Sequence, residues 1–274
     1  IEKVRSKNNI NWMNILRLAF KYAPEEAREI VSKINSDDQR IGELLKKLSE
    51  NKSKINLMRI TILCSDINHP IIDYLNKWIE LNSLENEIDL INNKSDLSKG
   101  DILFLISCHE IIPKKIRDSY KKTLLIHSSD LPKGKGWSPH IYEIIDGANQ
   151  ITLSLLKAEN KVDSGEIYKK IYINIEDHEL WNEINHKLFE AEISLLDFAV
   201  KSFENLKGVK QSKDQDFSFY PRRTPNDSKI DVDLSSRDQF NKIKVLDPVR
   251  YPAFFELNGY KYELRINKID EQVY

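Results

Sequence analysis

Residues 58–81, MRITILCSDINHPIIDYLNKWIEL, change from the pattern of a buried strand to that of a helix. Ile60–Cys64 is a short run of apolar and β-branched residues, which predicts a strand. His69–Leu81 has the length and apolar spacing of a helix. The stretch therefore predicts one strand–helix unit, the building block of an open α/β sheet.

Alternating strands and helices continue after this unit. Further strands are predicted at Ile88–Ile91, Asp101–Ser107, Leu124–His127, Ile151–Leu156 and Ile167–Ile175. Helices are predicted at Pro113–Tyr120, Pro139–Asp146 and His178–Leu206. Because strands separated by helices pair in parallel, we expect an α/β fold with an open, doubly wound, mostly parallel sheet over residues 56–208. Ligands of such sheets bind beyond the carboxyl ends of the strands, which points to Ser65-Asp66, Ser107–Ile112 and His127–Lys135.

Two smaller regions flank this domain. Residues 1–55 carry apolar stripes at helical spacing and predict an N-terminal helical bundle. Residues 209–274 predict a small C-terminal α+β unit with a short helix at Gln239–Val245. Within it, the prolines of Tyr220–Pro225 exclude a regular helix, and Asn258-Gly259 between two apolar runs predicts a β-hairpin.

Composition narrows the classes of function. The formal net charge is −1, from 42 basic and 43 acidic residues, so the whole chain has no general attraction for nucleic acid or anionic membranes. No apolar run approaches the roughly 20 residues of a membrane span. Cys64 and Cys108 lie in apolar stretches and are expected to be reduced core thiols, which favours a cytoplasmic protein.

The stretch Ile126–Gly136, IHSSDLPKGKG, carries the chemistry. It places a titratable imidazole, His127, at the carboxyl end of a strand, where this class of fold binds its ligands. Asp163 lies between two further strands, so its carboxylate is expected to reach the same edge of the sheet. A histidine beside a carboxylate can transfer protons, because each group shifts the pKa of the other.

These residues resemble a known family. The pattern His-x-Ser-x-Leu-Pro at His127–Pro132, followed 36 residues after the histidine by Asp-Ser-Gly at Asp163–Gly165, is similar to that of the folate-dependent formyltransferases. That family includes glycinamide ribonucleotide, methionyl-tRNA and sugar-nucleotide enzymes. Ile111-Ile112-Pro113 and the start at Met58-Arg59-Ile60 also match, so the resemblance covers about residues 58–206. It implies a formyltransferase-like variant of the Rossmann fold.

The resemblance implies an enzyme that uses 10-formyltetrahydrofolate. An acceptor amine attacks the formyl carbon, His127 stabilises the oxyanion of the tetrahedral intermediate or relays the amine proton, and Asp163 orients His127. Position matching suggests cofactor contacts at His109, Glu110, Ile111, Ala158, Glu159 and Val162. Acceptor contacts are expected at the strand ends and in the loop after His127, namely Asp66, His69, Ser129, Lys133, Lys135 and Trp137. No metal site is expected, because the other histidines lack metal-ligand spacing.

One position departs from the family. Leu125 stands two residues before the histidine, where the family usually has a catalytic asparagine. An aliphatic side chain cannot donate a hydrogen bond to an oxyanion, and losing such a donor costs about 10²–10³ in rate. Ser107, His109 and Asn149 are candidates to replace it, and the alternative is altered or lost activity.

The C-terminal unit indicates which molecule receives the formyl group. Residues 217–274 hold ten basic and nine acidic side chains, and a nearly neutral unit argues against a tRNA acceptor. The segment Tyr220–Asp227 looks like that of sugar-nucleotide N-formyltransferases. We therefore expect formylation of a nucleotide-linked amino sugar in bacterial polysaccharide synthesis, with nucleic acid an unlikely partner. Methionyl-tRNA formylation, a non-catalytic folate- or partner-binding descendant and a formate-releasing hydrolase remain alternatives, and residues 1–55 leave a homodimer open.

Overall fold

The computed structural model describes residues 57–212 and 218–269, together with a few positions between residues 21 and 43. The chain divides into two units, residues 1–56 and 57–274. In the first unit nearly all described positions are helical, and Arg28 pairs with Glu25 one turn away. The rest of the bundle predicted at residues 1–55 lies outside the described residues.

The second unit contains the predicted alternation of strands and helices. Its strands are Met58–Leu63 (β1), Asn86–Ile91 (β2), Gly100–Leu105 (β3), Tyr120–His127 (β4), Lys135–Gly136 (β5), Gln150–Lys157 (β6), Ile167–Asn174 (β7), Phe219–Tyr220 (β8), Ala253–Leu257 (β9) and Tyr260–Leu264 (β10). Its helices are Ile71–Asn82 (α1), Lys114–Arg117 (α2), Pro139–Ile145 (α3), Trp181–Lys201 (α4) and Phe240–Lys244 (α5). In the described part of the chain, no helix has both the length and the apolar character needed to cross a membrane.

Six strands form the central sheet in the order β2-β1-β3-β4-β6-β7. The first four strands in this order run parallel to one another, as predicted. The switch in strand order, between β1 and β3, lies within this parallel part of the sheet. The expectation of parallel pairing was wrong for β6 and β7, which run antiparallel to their neighbours. β6 begins beyond the carboxyl end of β4, because His127 pairs with Ser154 in the middle of β6 and Leu124 with Lys157 at its end. The segment that contains α3 therefore stays at this edge of the sheet, and the chain turns at Gly147 and returns antiparallel to β4.

Each face of the sheet buries one apolar cluster. On one face, α1 and α4 cover the sheet, and Ile71, Leu75 and Trp78 are the buried side chains of α1. The indole N–H of Trp78 donates to Asp197 of α4 over 2.7 Å, which fixes the two helices to each other. On the other face, the leucines of β1, β3 and β4 pack against Ile112 and Ile116. This second face also carries His127. Side chains two residues apart on a strand point to the same face, and His127 follows Leu125 by two residues.

The C-terminal unit contains the predicted hairpin and short helix. β9 and β10 pair around Asn258 and Gly259, whose φ angles of 52° and 78° are those of a two-residue hairpin turn. The helix α5 lies within the predicted range Gln239–Val245. The parallel pair of β5 and β8 was not predicted, because two-residue strands leave no hydrophobic pattern. This pair connects the C-terminal unit to the loop that follows His127.

Candidate active site

His127 and Asp163 lie together at the carboxyl edge of the sheet. His127 is the last residue of β4, and its Nδ1 is 3.7 Å from Oδ1 of Asp163. The two residues are only 9% and 6% exposed, so water screens the pair little. The sequence predicted this convergence, and at 3.7 Å the two atoms are within ion-pair distance but beyond the reach of a direct hydrogen bond.

The ring nitrogens of His127 face two different partners. Nε2 lies 2.8 Å from the carbonyl oxygen of Gly134, which can only accept a hydrogen bond. The Nε2 nitrogen therefore carries the proton of that bond. The other ring nitrogen, Nδ1, faces the carboxylate of Asp163, so the two partners fix the orientation of the ring.

The loop after β4 is folded tightly against this pair. Gly134 and Gly136 have φ angles of 71° and 100°, which side-chain-bearing residues adopt rarely. A Cβ on Gly136 would meet the carbonyl oxygen of Tyr220 at 2.3 Å. The absence of a side chain lets the amide of Gly136 donate to Oδ2 of Asp163 over 3.0 Å, so the loop also fixes the carboxylate.

Two loops near the pair carry the predicted cofactor contacts. Ile111 and Val162 are 69% and 50% exposed, one on each loop, and offer apolar surface for a flat ring system. Arg117 lies buried beneath both loops and ties them together. Its guanidinium donates to the carbonyl oxygens of Ile112 (3.1 Å) and Ala158 (2.5 Å) and to Oδ1 of Asn160. Arg117 therefore links the two loops that carry the predicted cofactor contacts.

Arg117 is the residue that the sequence reasoning missed, since its position in a short helix gives no signal of a buried role. Its bonds also bear on Ala158, which was predicted to contact the cofactor. The amide of Ala158 donates to the carbonyl oxygen of Thr123, and its own carbonyl oxygen accepts from Arg117. Glu110 forms an ion pair with Lys94, whereas Glu159 pairs with Lys157 and also lies 3.9 Å from the guanidinium of Arg117. His109, Ile111 and Val162 are exposed and remain predicted contacts of the cofactor.

The predicted acceptor contacts Asp66 and His69 lie beyond β1, and a second arginine joins them. Asp66 forms an ion pair with Arg250 of the C-terminal unit over 3.0 Å. His69 accepts a hydrogen bond at Nδ1 from the amide of Ile71 and contacts Ser107 through Nε2. Burial, and then the charge of Arg250, lowers the pKa of His69 to about 4, so this ring is neutral at neutral pH.

The remaining predicted acceptor contacts lie in the loop after β4. The ring of Trp137 lies 5.2 Å from the ring of His109, and the guanidinium of Arg222 lies 4.9 Å from the Trp137 ring. Lys133 is exposed and Lys135 half-buried, so both can meet a ligand. Ser129 is fully buried and its hydroxyl has no partner within the described residues, which places it inside the protein rather than on the cleft wall.

The position of the missing asparagine holds an apolar side chain in the structure as well. Leu125 packs into the cluster on the face that carries His127. Asn149 cannot substitute for the asparagine. The residue of β6 opposite His127 is Ser154, and Asn149 lies five residues before Ser154, about 17 Å away along the strand. Ser107 is engaged with His69. His109 is exposed and is the one candidate of the three whose ring remains open to a ligand.

Comparison with known proteins gives the family. Residues 68–200 match the model of the formyl transferase family. Over this segment, just under half of its length, the chain is similar to the formyl transferases. The protein is a folate-dependent one-carbon transferase, as the sequence predicted, with 10-formyltetrahydrofolate as the formyl donor.

Relatives and structures of the same fold support this assignment. A methionyl-tRNA formyltransferase from Lactococcus lactis subsp. cremoris is 22% identical over 249 residues, which cover 89% of this formyltransferase and 72% of the relative. The structure of methionyl-tRNA formyltransferase from Clostridium thermocellum superposes with a TM-score of 0.67 at 22% identity, covering 78% of this chain and 94% of that one. The structure of HypX from Aquifex aeolicus in complex with tetrahydrofolic acid superposes with a TM-score of 0.63 at 21% identity, covering 74% of this chain and 36% of that one.

The predicted partner was wrong. The sequence analysis expected a nucleotide-linked amino sugar and made nucleic acid unlikely, whereas the curated relatives found by sequence include methionyl-tRNA formyltransferases, which act on tRNA. A sugar N-formyltransferase from a Shewanella species shares only the fold, with a TM-score of 0.59 at 16% identity over 78% of this chain and 99% of that one. The net charge of residues 217–274 does not predict the class of partner, because it gives no information about where the arginines lie.

Proposed function

We propose that this formyltransferase transfers the formyl group of 10-formyltetrahydrofolate to the amino group of methionyl-tRNA. The sequence relatives support this acceptor. The observation in the chain itself that favours it is the position of Arg222 and Arg250, which the C-terminal unit contributes at the mouth of the cleft.

Arg222 brings a positive charge to the ring of Trp137, which lies against His109, although the unit that carries this arginine is nearly neutral. Burial and the charge of Arg222 lower the pKa of His109, whereas the charge of Arg250 is offset by its ion pair with Asp66. Arg222 is exposed, and its guanidinium lies over the face of Trp137. A guanidinium that contacts a ring through its face keeps the N–H groups at its edge for other partners, and a phosphate of the tRNA backbone can bind them.

The chemistry proposed for the site divides between two side chains. The folate would supply the formyl carbon, which exchanges its bond to the folate nitrogen for a bond to the amine nitrogen, so that tetrahydrofolate leaves with the proton that the amine loses. His127 would stabilise negative charge on the formyl oxygen, and Asp163 would hold the ring and relay that proton. Because Leu125 supplies no donor, His127 would carry more of this stabilisation than it would beside an asparagine.

The proposal is tested by incubating the protein with 10-formyltetrahydrofolate and methionyl-tRNA and measuring formylmethionine after hydrolysis of the ester. We expect formylation, and we expect Arg222→Ala to raise KM for the tRNA and to lower the salt dependence of tRNA binding by about one unit of slope. Arg265→Ala is the matched control, because Arg265 belongs to the same unit but pairs with Glu263 in the hairpin.

Two results would contradict the proposal. Formylation of an amino-sugar nucleotide with no transfer to methionyl-tRNA would reject the tRNA acceptor. Binding of tetrahydrofolate with no transfer to any amine would favour the non-catalytic descendant. Equal effects of Arg222→Ala and Arg265→Ala would remove the arginine argument while leaving the acceptor in place.

A further inference from the structure

The segment that joins the catalytic domain to the C-terminal unit passes both members of the candidate pair. Val209 forms an antiparallel bridge with Ile167, and Gln211 follows two residues later. Further along, Ser218 accepts a hydrogen bond from the amide of Gly134, whose carbonyl faces His127. The described parts of this segment therefore touch the backbone on either side of the catalytic pair.

Gln211 bonds the backbone that presents Asp163. Its Nε2 donates to the carbonyl oxygen of Asp163 over 3.0 Å and to that of Gly165 over 2.9 Å. One side-chain amide thus uses both of its N–H groups on one turn. The side chain is partly buried, so water competes little for these bonds.

The turn that Gln211 bonds is strained. Asp163 has a φ of 50°, in the left-handed region that side-chain-bearing residues adopt rarely. Gly165 lies directly against the neighbouring backbone, since a Cβ there would clash with the carbonyl oxygen of Lys157. A strained conformation persists only where its surroundings hold it, and Gln211 supplies two of the bonds that do so.

We propose that Gln211 is a positioning residue that keeps the carboxylate of Asp163 within reach of His127. It touches no reacting atom and acts through the turn at residues 163–165. This inference rests on the proposed catalytic role of Asp163, and it explains why the enzyme needs the joining segment for chemistry as well as for stability.

Gln239 is a matched control. Its Nε2 also bridges two backbone carbonyl oxygens, of Asp231 at 2.7 Å and of Leu234 at 3.2 Å. These bonds close a loop of the C-terminal unit. Replacing either glutamine by glutamate keeps its size and removes both N–H donors.

The first measurement compares steady-state formyl transfer by Gln211→Glu and Gln239→Glu. We expect kcat of Gln211→Glu to fall about 10- to 100-fold, because a displaced catalytic group costs rate even when substrates still bind. KM for the folate is expected to stay close to that of the wild type, and Gln239→Glu to keep wild-type kcat. A purely space-filling role of Gln211 predicts no loss of kcat, because glutamate has the same size.

The second measurement does not depend on activity. The amide of Gly136 donates to Oδ2 of Asp163, so its hydrogen exchange reports whether the carboxylate is in place. We expect faster exchange at Gly136 in Gln211→Glu and unchanged exchange in Gln239→Glu. If Gln211→Glu fails to fold, Gln211→Ala, which adds no charge, is measured in the same way.

The outcomes separate this inference from the proposed function. A wild-type protein that does not formylate methionyl-tRNA rejects that acceptor, while exchange at Gly136 still tests Gln211. Wild-type exchange at Gly136 in the Gln211 variants, or equal losses of kcat in the Gln211 and Gln239 variants, would overturn the positioning role.

Discussion

Replacing Arg117 by methionine should loosen the folate cleft and destabilise the whole domain. The substitution keeps most of the aliphatic volume but leaves three acceptors without a donor, namely the carbonyl oxygens of Ile112 and Ala158 and Oδ1 of Asn160. Arg117 is 9% exposed, so water cannot replace these bonds fully. At about 1 kcal/mol or somewhat more for each acceptor, the free energy of unfolding should fall by about 3–5 kcal/mol.

Denaturant unfolding measures the loss of stability, and a titration with tetrahydrofolate measures the cleft. We expect weaker folate binding and faster hydrogen exchange in residues 108–113 and 158–163, because nothing then ties the two loops together. Arg59→Met is the control, since Arg59 is exposed and pairs with exposed Glu87 away from the site. If Arg117→Met unfolded at the wild-type denaturant concentration and bound folate as tightly, the linkage between the loops would be refuted.

Two further predictions concern buried and apolar positions. Burial raises the pKa of Glu192 to about 8, above its ordinary 4.5, so the folded protein loses stability as the pH rises through this window. Relative to the wild type, Glu192→Gln should therefore be more stable at pH 8 than at pH 5, and this difference in the free energy of unfolding should change by at most about 1.4 kcal/mol per pH unit. Denaturant unfolding measures it, and a difference that does not vary with pH would contradict the burial of the carboxyl group. Leu125→Asn should raise the single-turnover rate of formyl transfer by about 10-fold or more at some cost in stability, because it restores a donor beside His127; an unchanged rate would mean that the site no longer needs one.

The central sheet could be predicted because each strand and helix carries its own local pattern. Ile60–Cys64 and Asp101–Ser107 are strongly apolar, and their parallel pairing follows from the helices between them. The direction of β6 could not be predicted in this way. It depends on whether the segment that contains α3 stays at the carboxyl edge of the sheet or carries the chain back to the opposite edge, and a helix pattern in the sequence predicts a crossover in either case.

The candidate site was predictable to the extent that it follows strand ends. His127 comes directly after an apolar strand, and the motif with Asp163 located the second group of the pair. Arg117 and Gln211 could not be found, because their roles depend on backbone carbonyls that the fold brings near them from distant parts of the chain. Side chains that bond backbone leave no complementary residue type in the sequence.

The acceptor shows a different limit. Net charge over residues 217–274 is an average, and it gives no information about the position of Arg222 over Trp137. Electrostatic attraction for phosphate depends on charge within about 10 Å of the site. Only the folded arrangement tells which arginines meet that condition.

The most direct test of the catalytic pair is the rate of formyl transfer by Asp163→Asn, measured at saturating 10-formyltetrahydrofolate beside the wild type. Asparagine keeps the size of the side chain but cannot accept the amine proton or pair with an imidazolium, so we expect a rate lower by about 10²–10⁴-fold with folate binding retained. A variant that folds normally and transfers formyl groups at the wild-type rate would contradict the account of His127 and Asp163.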